Sequence, residues 1–340
     1  MTPTPRLPRF AGLPLAVGAG LAIPVQGRIN GALGVRLNDG IASAVVGFST
    51  GLVVMILISL ILPSGRAGLA RILPAVRTRA FPPVYVLAGG IGALFVFAQS
   101  FTVGILGVAL FTVAAVTGQT LSGLLVDRLG IGPAGKRAVT PMRIIGCVLT
   151  VAAVAWAVSP RLAVSPGSPG APGAPADGAG GLETLILPLI LPVLAGFLMS
   201  FQQAMNGTAT VHYGSPVAAT LVNFVAGSVF LWIALAVKVA VFGPGNPLPA
   251  EWWYYLGGPM GCVFIGLGAL LVRSLGVLVT GLGMIAGQLL GSLGLDLLVP
   301  APGSIVAPAT VLGTLLTLAA IILATLPWPR GAFRRQRPVG

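Results

Sequence analysis

The sequence predicts an all-α integral membrane protein whose ten transmembrane helices form two inverted five-helix repeats. Three observations predict it. Of 340 residues, 56% are hydrophobic and only 7% are charged, whereas a soluble domain carries about 25% charged residues. A single soluble core also stops growing at about 250–300 residues, so so much apolar surface calls for lipid. Second, the chain holds ten apolar runs close to the roughly 20 residues that a spanning helix needs. Third, the motifs of the first five runs return, in the same order, in the last five.

The runs lie near 11–32, 41–62, 83–103, 107–126, 141–158, 185–209, 216–242, 253–272, 276–298 and 305–326. Arg6 and Arg9 ahead of Phe10–Val25 superficially resemble a secretory leader. No small-residue cleavage site opens onto a soluble domain, however, so this run reads as the first span. The 49 glycines fit a membrane chain, because Gly and Pro are commoner in spanning helices than in soluble ones. Between the fifth and sixth runs, Ser165-Pro-Gly-Ser-Pro-Gly-Ala-Pro-Gly-Ala-Pro175 is too rich in Pro and Gly to pack, and reads as a flexible linker. The expected divisions are a first repeat over 1–158, a linker over 159–184, a second repeat over 185–327 and a basic tail over 328–340.

Charge sets the expected orientation. With ten spans both termini share a side, and 15 of the 19 Lys and Arg residues fall there. Arg28, Arg36, Arg161 and Lys238 are the other four. Positive charge concentrates on the cytoplasmic side, so both termini are expected in the cytoplasm. The same rule accounts for the net charge of +13 without a nucleic acid partner. Cys147 and Cys262 sit inside apolar runs and read as buried thiols, not a disulfide framework.

The duplication is the most informative feature. Gln26-x-x-x-Asn30-Gly31 returns as Gln202-x-x-x-Asn206-Gly207, and F-x-x-G follows as Phe48…Gly51 and Phe224…Gly227. Gly89-Gly90 is matched to Gly257-Gly258. Gly118-Gln119-x-Leu121-x-x-Leu124-x-x-Asp127 corresponds to Gly287-Gln288-x-Leu290-x-x-Leu293-x-x-Asp296, and Pro141…Gly146…Leu149-Thr150 to Pro308…Gly313…Leu316-Thr317. Five spans is an odd number, so the second copy crosses the membrane upside down. Inverted repeats recur among secondary transporters, where exchange between the halves opens a central site to either side.

On these motifs the chain resembles the drug/metabolite transporter superfamily, and within it the YdcZ-like branch, as a fused double-length member. The resemblance covers both membrane halves but not the termini or linker. It implies a carrier of the bacterial inner membrane, with export as one direction, and names no substrate. The copies depart from one another at Arg143 against Thr310, and at Asn38-Asp39-Gly40 against Gly214-Ser215-Pro216.

Polar side chains inside spanning helices are costly and tend to face the bundle interior. Gln26 and Asn30 share a helix face at i and i+4, as do Gln202 and Asn206. With Gln119 and Gln288 they are the candidate substrate-binding residues, although interhelical hydrogen bonds that only fasten the bundle would use the same side chains. Asp127 and Asp296 are candidate ion-coupling residues. The alternative is that each ends its helix at an interface, with Asp127 pairing with Arg128. Arg28 either snorkels to the outer interface or offers a fixed charge to an anionic solute. Gln99 and Asn223 read as lone helix-packing residues. Ala114-x-x-x-Gly118-x-x-x-Ser122 and Gly283-x-x-x-Gly287-x-x-x-Gly291 are small-residue stripes that let helices approach closely, and are expected where the halves meet.

No cofactor, catalytic constellation or metal site is expected. Gly130–Arg137 comes close to a phosphate loop, but Arg137 replaces the required hydroxyl and the segment follows a helix. His212 is the only histidine. The expectation is therefore a secondary carrier working by alternating access, driven by protons, another coupling ion or the solute gradient alone. A flippase of lipid-linked substrates and a non-transporting scaffold are the alternatives. A monomer with internal pseudo-symmetry and a homodimer both satisfy the sequence.

Overall fold

A computed structural model describes residues 9–133, 135–136, 140–163, 182–275, 277–300, 304 and 306–325. The Pro/Gly tract 165–175 and the basic tail lie outside the described residues. The described chain is helical: α1 (Arg9–Gly20), α2 (Ala22–Leu37), α3 (Gly40–Ile61), α4 (Pro63–Arg77), α5 (Gly89–Leu106), α6 (Val108–Leu129), α7 (Pro141–Ala163), α8 (Leu182–Tyr213), α9 (Pro216–Phe242), α10 (Gly257–Leu275), α11 (Val277–Leu298) and α12 (Pro308–Thr325). Short 3₁₀ turns, Pro83–Ala88 and Trp252–Leu256, lead into α5 and α10. Among the described residues, seven segments are long and apolar enough to cross a membrane, and α12 supplies a shorter apolar helix.

The first predicted span is one kinked rod. Pro24 has no N–H to give the Gly20 carbonyl, and the regular helix breaks at Leu21 between α1 and α2, as a helix-interior proline requires. The outer surfaces of the helices are apolar, with Leu57, Ile61, Val148, Ile190, Ile233 and Val237 all more than half exposed. In a soluble protein that surface would be an aggregation site; here it is the lipid face.

The halves interlock through the small-residue stripes. A Cβ at Gly20 would strike the Met284 carbonyl, and one at Gly287 would strike the Val17 carbonyl. In mirror fashion a Cβ at Gly196 would strike the Ala115 carbonyl, and one at Gly118 that of Val193. Thus α11 lies against α1, and α6 against α8, as pseudo-equivalent crossings between repeats. The stripes do mark where the halves meet. Other cross-half seams pair α3 with α9, α7 with α12, α5 with α8 and α9, and α10 with α1, α2 and α3. On the first of these Phe48 packs against its own counterpart Phe224, ring centroids 5.1 Å apart and planes tilted by 45°, which puts the pseudo-two-fold axis between the two rings.

Two expectations need correction. Gly89 packs against Asn223 and Gly227, whereas Gly258 packs against Gly47 and Gly51. The structural partner of Gly89 is therefore Gly258, one residue beyond the match of doublet to doublet. The departure Asn38-Asp39-Gly40 against Gly214-Ser215-Pro216 is also no loss of equivalence. Asn38 and Gly214 both turn the chain at positive φ, and then Asp39 accepts from the Ala42 N–H as Ser215 does from the Ala218 N–H. Different residues make the same N-cap.

Helix α4 was not foreseen. Its Gly68 lies on Ser215 and Ala218 at the α8–α9 turn, while Arg66, Arg71 and Arg77 are exposed. At the opposite, α2–α3 turn, the segment 243–251 takes the corresponding place. Asn246 donates to the Arg36 carbonyl, and Lys238 pairs with Asp39 at 2.8 Å.

Candidate functional site

The polar residues selected from sequence gather along α2 and α8, the two helices that carry the repeated Q-x-x-x-N-G. Asn30 is fully buried and donates through Nδ2 to Gln99 Oε1 on α5, 3.1 Å away. Its Oδ1 faces Gly47 and Gly257 and is a buried oxygen with no hydrogen-bond partner. Gln26, one turn earlier on the same face, lies over Gly261 of α10. In the second half, Gln202 lies over Gly92 of α5, so each glutamine reaches across to the glycine-rich helix of the other repeat.

The asparagines are satisfied differently. Gln202 Nε2 and Asn206 Nδ2 both donate to Asn223 Oδ1 on α9, at 2.8 and 3.1 Å. Gln99 and Asn223 are thus not lone packing residues; they complete the two amide clusters. A search for polar residues one helix away from the repeated motif would have found them. Comparing halves would not, because at the structural register Gly268 stands opposite Gln99, and Gly47 opposite Asn223.

Gln288 is 5% and Gln26 6% exposed, and Gln119 is half-buried. None of the three amide side chains has a hydrogen-bond partner among the described residues. They project from α11, α2 and α6, three helices that pack against one another. None of their amide atoms is among the fully buried unpaired polar atoms of the described residues, which include Asn30 Oδ1, so these amides are free to bond water or a polar solute. The backbone beside them is fully engaged: the Gln119 carbonyl accepts from Ser200 Oγ at 2.8 Å, bracing α6 on α8.

The aspartates separate into different roles. Asp127 pairs with Arg143 on α7, not with the adjacent Arg128. Asp296 is 3% exposed and accepts from the backbone N–H groups of Val108 (3.1 Å) and Ala109 (2.7 Å), capping the start of α6 in the other repeat. Arg28 donates to the Pro300 carbonyl, beside that cap. His212 packs against Phe81 at the end of α8, 5.5 Å between centroids with the rings tilted by 35°.

With this geometry in place, comparison with known families decides the affiliation. The profile of a family described as "Putative inner membrane exporter, YdcZ" matches residues 11–156 and 187–323. The chain belongs to the YdcZ family. The two matched segments fall one on each five-helix half, on either side of the Pro/Gly tract. Membership makes this a multi-pass inner-membrane protein of a transporter family, with the bilayer as its medium and a small solute as its cargo. No curated protein matches the chain.

Proposed function

We propose that the chain is a secondary transporter that carries a polar small solute by alternating access between its two inverted halves. The observation that carries this reading is the set of three unpaired amides, Gln26, Gln119 and Gln288, on three mutually packed helices from both repeats. The carboxylates nearby are already engaged: Asp39 by Lys238, Asp127 by Arg143 and Asp296 by the start of α6. Amides are left to hold the solute, which favours a neutral or zwitterionic molecule recognised by hydrogen bonds.

The two ends of the bundle differ, and this supports a trapped state. At the α2–α3 face, α2 closes on α5: a Cβ at Gly34 would strike the Ser100 carbonyl, and Gly31 sits on Val103. At the α8–α9 face the counterpart of Gly31 is Gly207, and it packs on Pro133 of the α6–α7 turn. Among the described residues, one gate is shut by helix against helix, whereas Gly207 of its equivalent rests on a turn. With both termini and the exposed arginines of α4 on the cytoplasmic side, following the charge rule, this conformer opens inward. Residues 1–158 and 185–327 are then the two moving halves, joined through the Pro/Gly tract, and export is the direction the family description suggests. The halves carry the whole pseudo-symmetric site, so one chain suffices. No nucleotide, metal or catalytic group enters the reading.

The test is binding without transport. A panel of neutral, zwitterionic, cationic and anionic metabolites is added to purified protein, and the melting midpoint is followed. A ligand at 100 times its dissociation constant stabilises by about 2.7 kcal/mol. A neutral or zwitterionic member should raise the midpoint of the native protein and not that of Gln26→Leu/Gln288→Leu. Equal stabilisation of both proteins would remove the amide site.

A further inference from the structure

Asp127 and Asp296 occupy the same place in the repeat, 169 residues apart, yet they do different things. Asp296 holds the first two N–H groups of α6, Val108 and Ala109. At the same offset those residues correspond to Val277 and Leu278, the first residues of α11, and Gly107 corresponds to Gly276. The second half therefore offers Asp127 a helix start like the one that Asp296 occupies. In this conformer Asp127 is instead held by Arg143. At the place of Arg143 the second half has Thr310.

The occupied cap and the closed gate are at the same end. Asp296, Val108 and Arg28–Pro300 lie at the α2–α3 face, where Gly31 and Gly34 close on Val103 and Ser100. Asp127 and Arg143 lie at the other face, where Gly207 rests on Pro133 of the α6–α7 turn. A carboxylate at a helix N-terminus is favourable because it meets unsatisfied N–H groups and the positive end of the dipole.

We propose that Asp127 and Asp296 are reciprocal gate residues: the conformer closed at α2–α5 has Asp296 capping α6, and the conformer closed at α8–α10 has Asp127 capping α11 after release from Arg143. Arg143 is then a brake, favouring the present conformer by holding Asp127 away from α11. This rests on the alternating-access reading. The aspartates act as positioning residues and do not touch the solute.

The device makes a prediction that a structural ion pair does not. Asp127→Ala and Arg143→Ala remove the same pair but differ in what they leave behind. Arg143→Ala lifts the brake and leaves Asp127 to cap α11, so the α2–α5 gate opens more often. Asp127→Ala lifts the brake and deletes that cap as well, so the gate opens less often than in Arg143→Ala. Asp296→Ala opens it too. Both members of the pair are part-exposed, with side-chain exposures of 30% and 28%, so the folded state should tolerate either change.

The experiment places a single reporter at Ser100→Cys, a buried position inside the closed gate, with Cys147 and Cys262 changed to Ala. The rate of modification by a water-soluble maleimide is measured in lipid nanodiscs, alongside the same chain with only Cys262 restored as a buried control. Relative to the reporter alone, Arg143→Ala and Asp296→Ala should react about two- to tenfold faster, and Asp127→Ala should react more slowly than Arg143→Ala by a similar factor, the range expected for one helix-end charge. If Asp127→Ala reacts as fast as Arg143→Ala, or Arg143→Ala does not move the rate, the reciprocal cap is overturned while alternating access stands. If Ser100→Cys reacts no faster than the Cys262 control in every background, the gate never opens and alternating access itself fails. Repeating the rates between pH 5 and 8 separates a cap from an ion carrier. An effect of Asp296→Ala that is the same across this range supports the cap, and one that vanishes when the pH falls overturns it in favour of ion coupling.

Discussion

Asn30 and Gln99 join α2 to α5 through a 3.1 Å bond between buried amides, and the second half cannot repeat it because Gly268 takes the place of Gln99. The bond lies beside the close α2–α5 contact of Gly34 on Ser100; under the proposed alternating access its asymmetry favours this conformer. Gln99→Leu leaves both Asn30 amide atoms unpaired in the bundle. An interhelical bond in a membrane is worth about 0.6 kcal/mol on average, and an unsatisfied buried amide costs about 1–3 kcal/mol. Denaturant unfolding of Gln99→Leu should therefore show a loss of about 1–2 kcal/mol. The double variant Asn30→Leu/Gln99→Leu should lose less than the sum of the single variants; strict additivity would mean that the two amides are not coupled.

The crossings between repeats make a paired prediction. Gly118→Ala and Gly287→Ala each drive a methyl into a facing backbone carbonyl, on Val193 and Val17 respectively. Overpacking of this kind costs about 1–3 kcal/mol, and pseudo-symmetry makes the two losses similar. Gly281→Ala and Gly294→Ala put a methyl into open space and should be neutral or slightly stabilising, as glycine in a helix costs about 1 kcal/mol relative to alanine. Thermal unfolding in detergent checks all four.

Lys238 and Asp39 form a pair whose carboxylate side is 2% exposed. Lys238→Met strands that carboxylate, and breaking a buried pair from one side costs about 3–5 kcal/mol. The second repeat shows how to repair it, since Ser215 caps α9 where Asp39 caps α3. The double variant Asp39→Ser/Lys238→Met should recover most of the lost stability. A double variant as unstable as Lys238→Met alone would show that the pair does more than neutralise a capping group.

Much of this architecture was legible in the sequence, for a physical reason. Lipid allows only helices with satisfied backbones, so long apolar runs have one available structure, and each of the ten finds its helix. The stripe around Gly118 and Gly287 was also readable, because only small residues permit such close crossings. What sequence could not give was pairing between helices. Gln99 and Asn223 looked solitary because their partners are 69 and 17–21 residues away. For Asp127 the sequence offers ion coupling or, as the alternative, pairing with its neighbour Arg128; adjacent residues on a helix point about 100° apart, and Arg143 on α7 is the group it faces. Helix α4 escaped notice because its four arginine-rich turns read as a charged loop when judged by hydropathy alone.

The repeated asparagines carry a prediction about activity. Asn30→Leu/Asn206→Leu removes the donors to Gln99 and Asn223 and should abolish flux in proteoliposomes while the protein still elutes as a single folded species. The single variants should be intermediate. Undiminished flux in the double variant would confine these residues to helix packing.

The most direct test of the central claim is solute flux itself. Purified protein in proteoliposomes is assayed by solid-supported-membrane currents under an imposed pH gradient and by tracer counterflow, across the same metabolite panel. The account predicts flux of a neutral or zwitterionic solute that saturates, shows counterflow, and is lost in Gln26→Leu/Gln288→Leu. Flux that fails to saturate, shows no counterflow, or survives loss of both amides would contradict an amide-lined carrier working by alternating access.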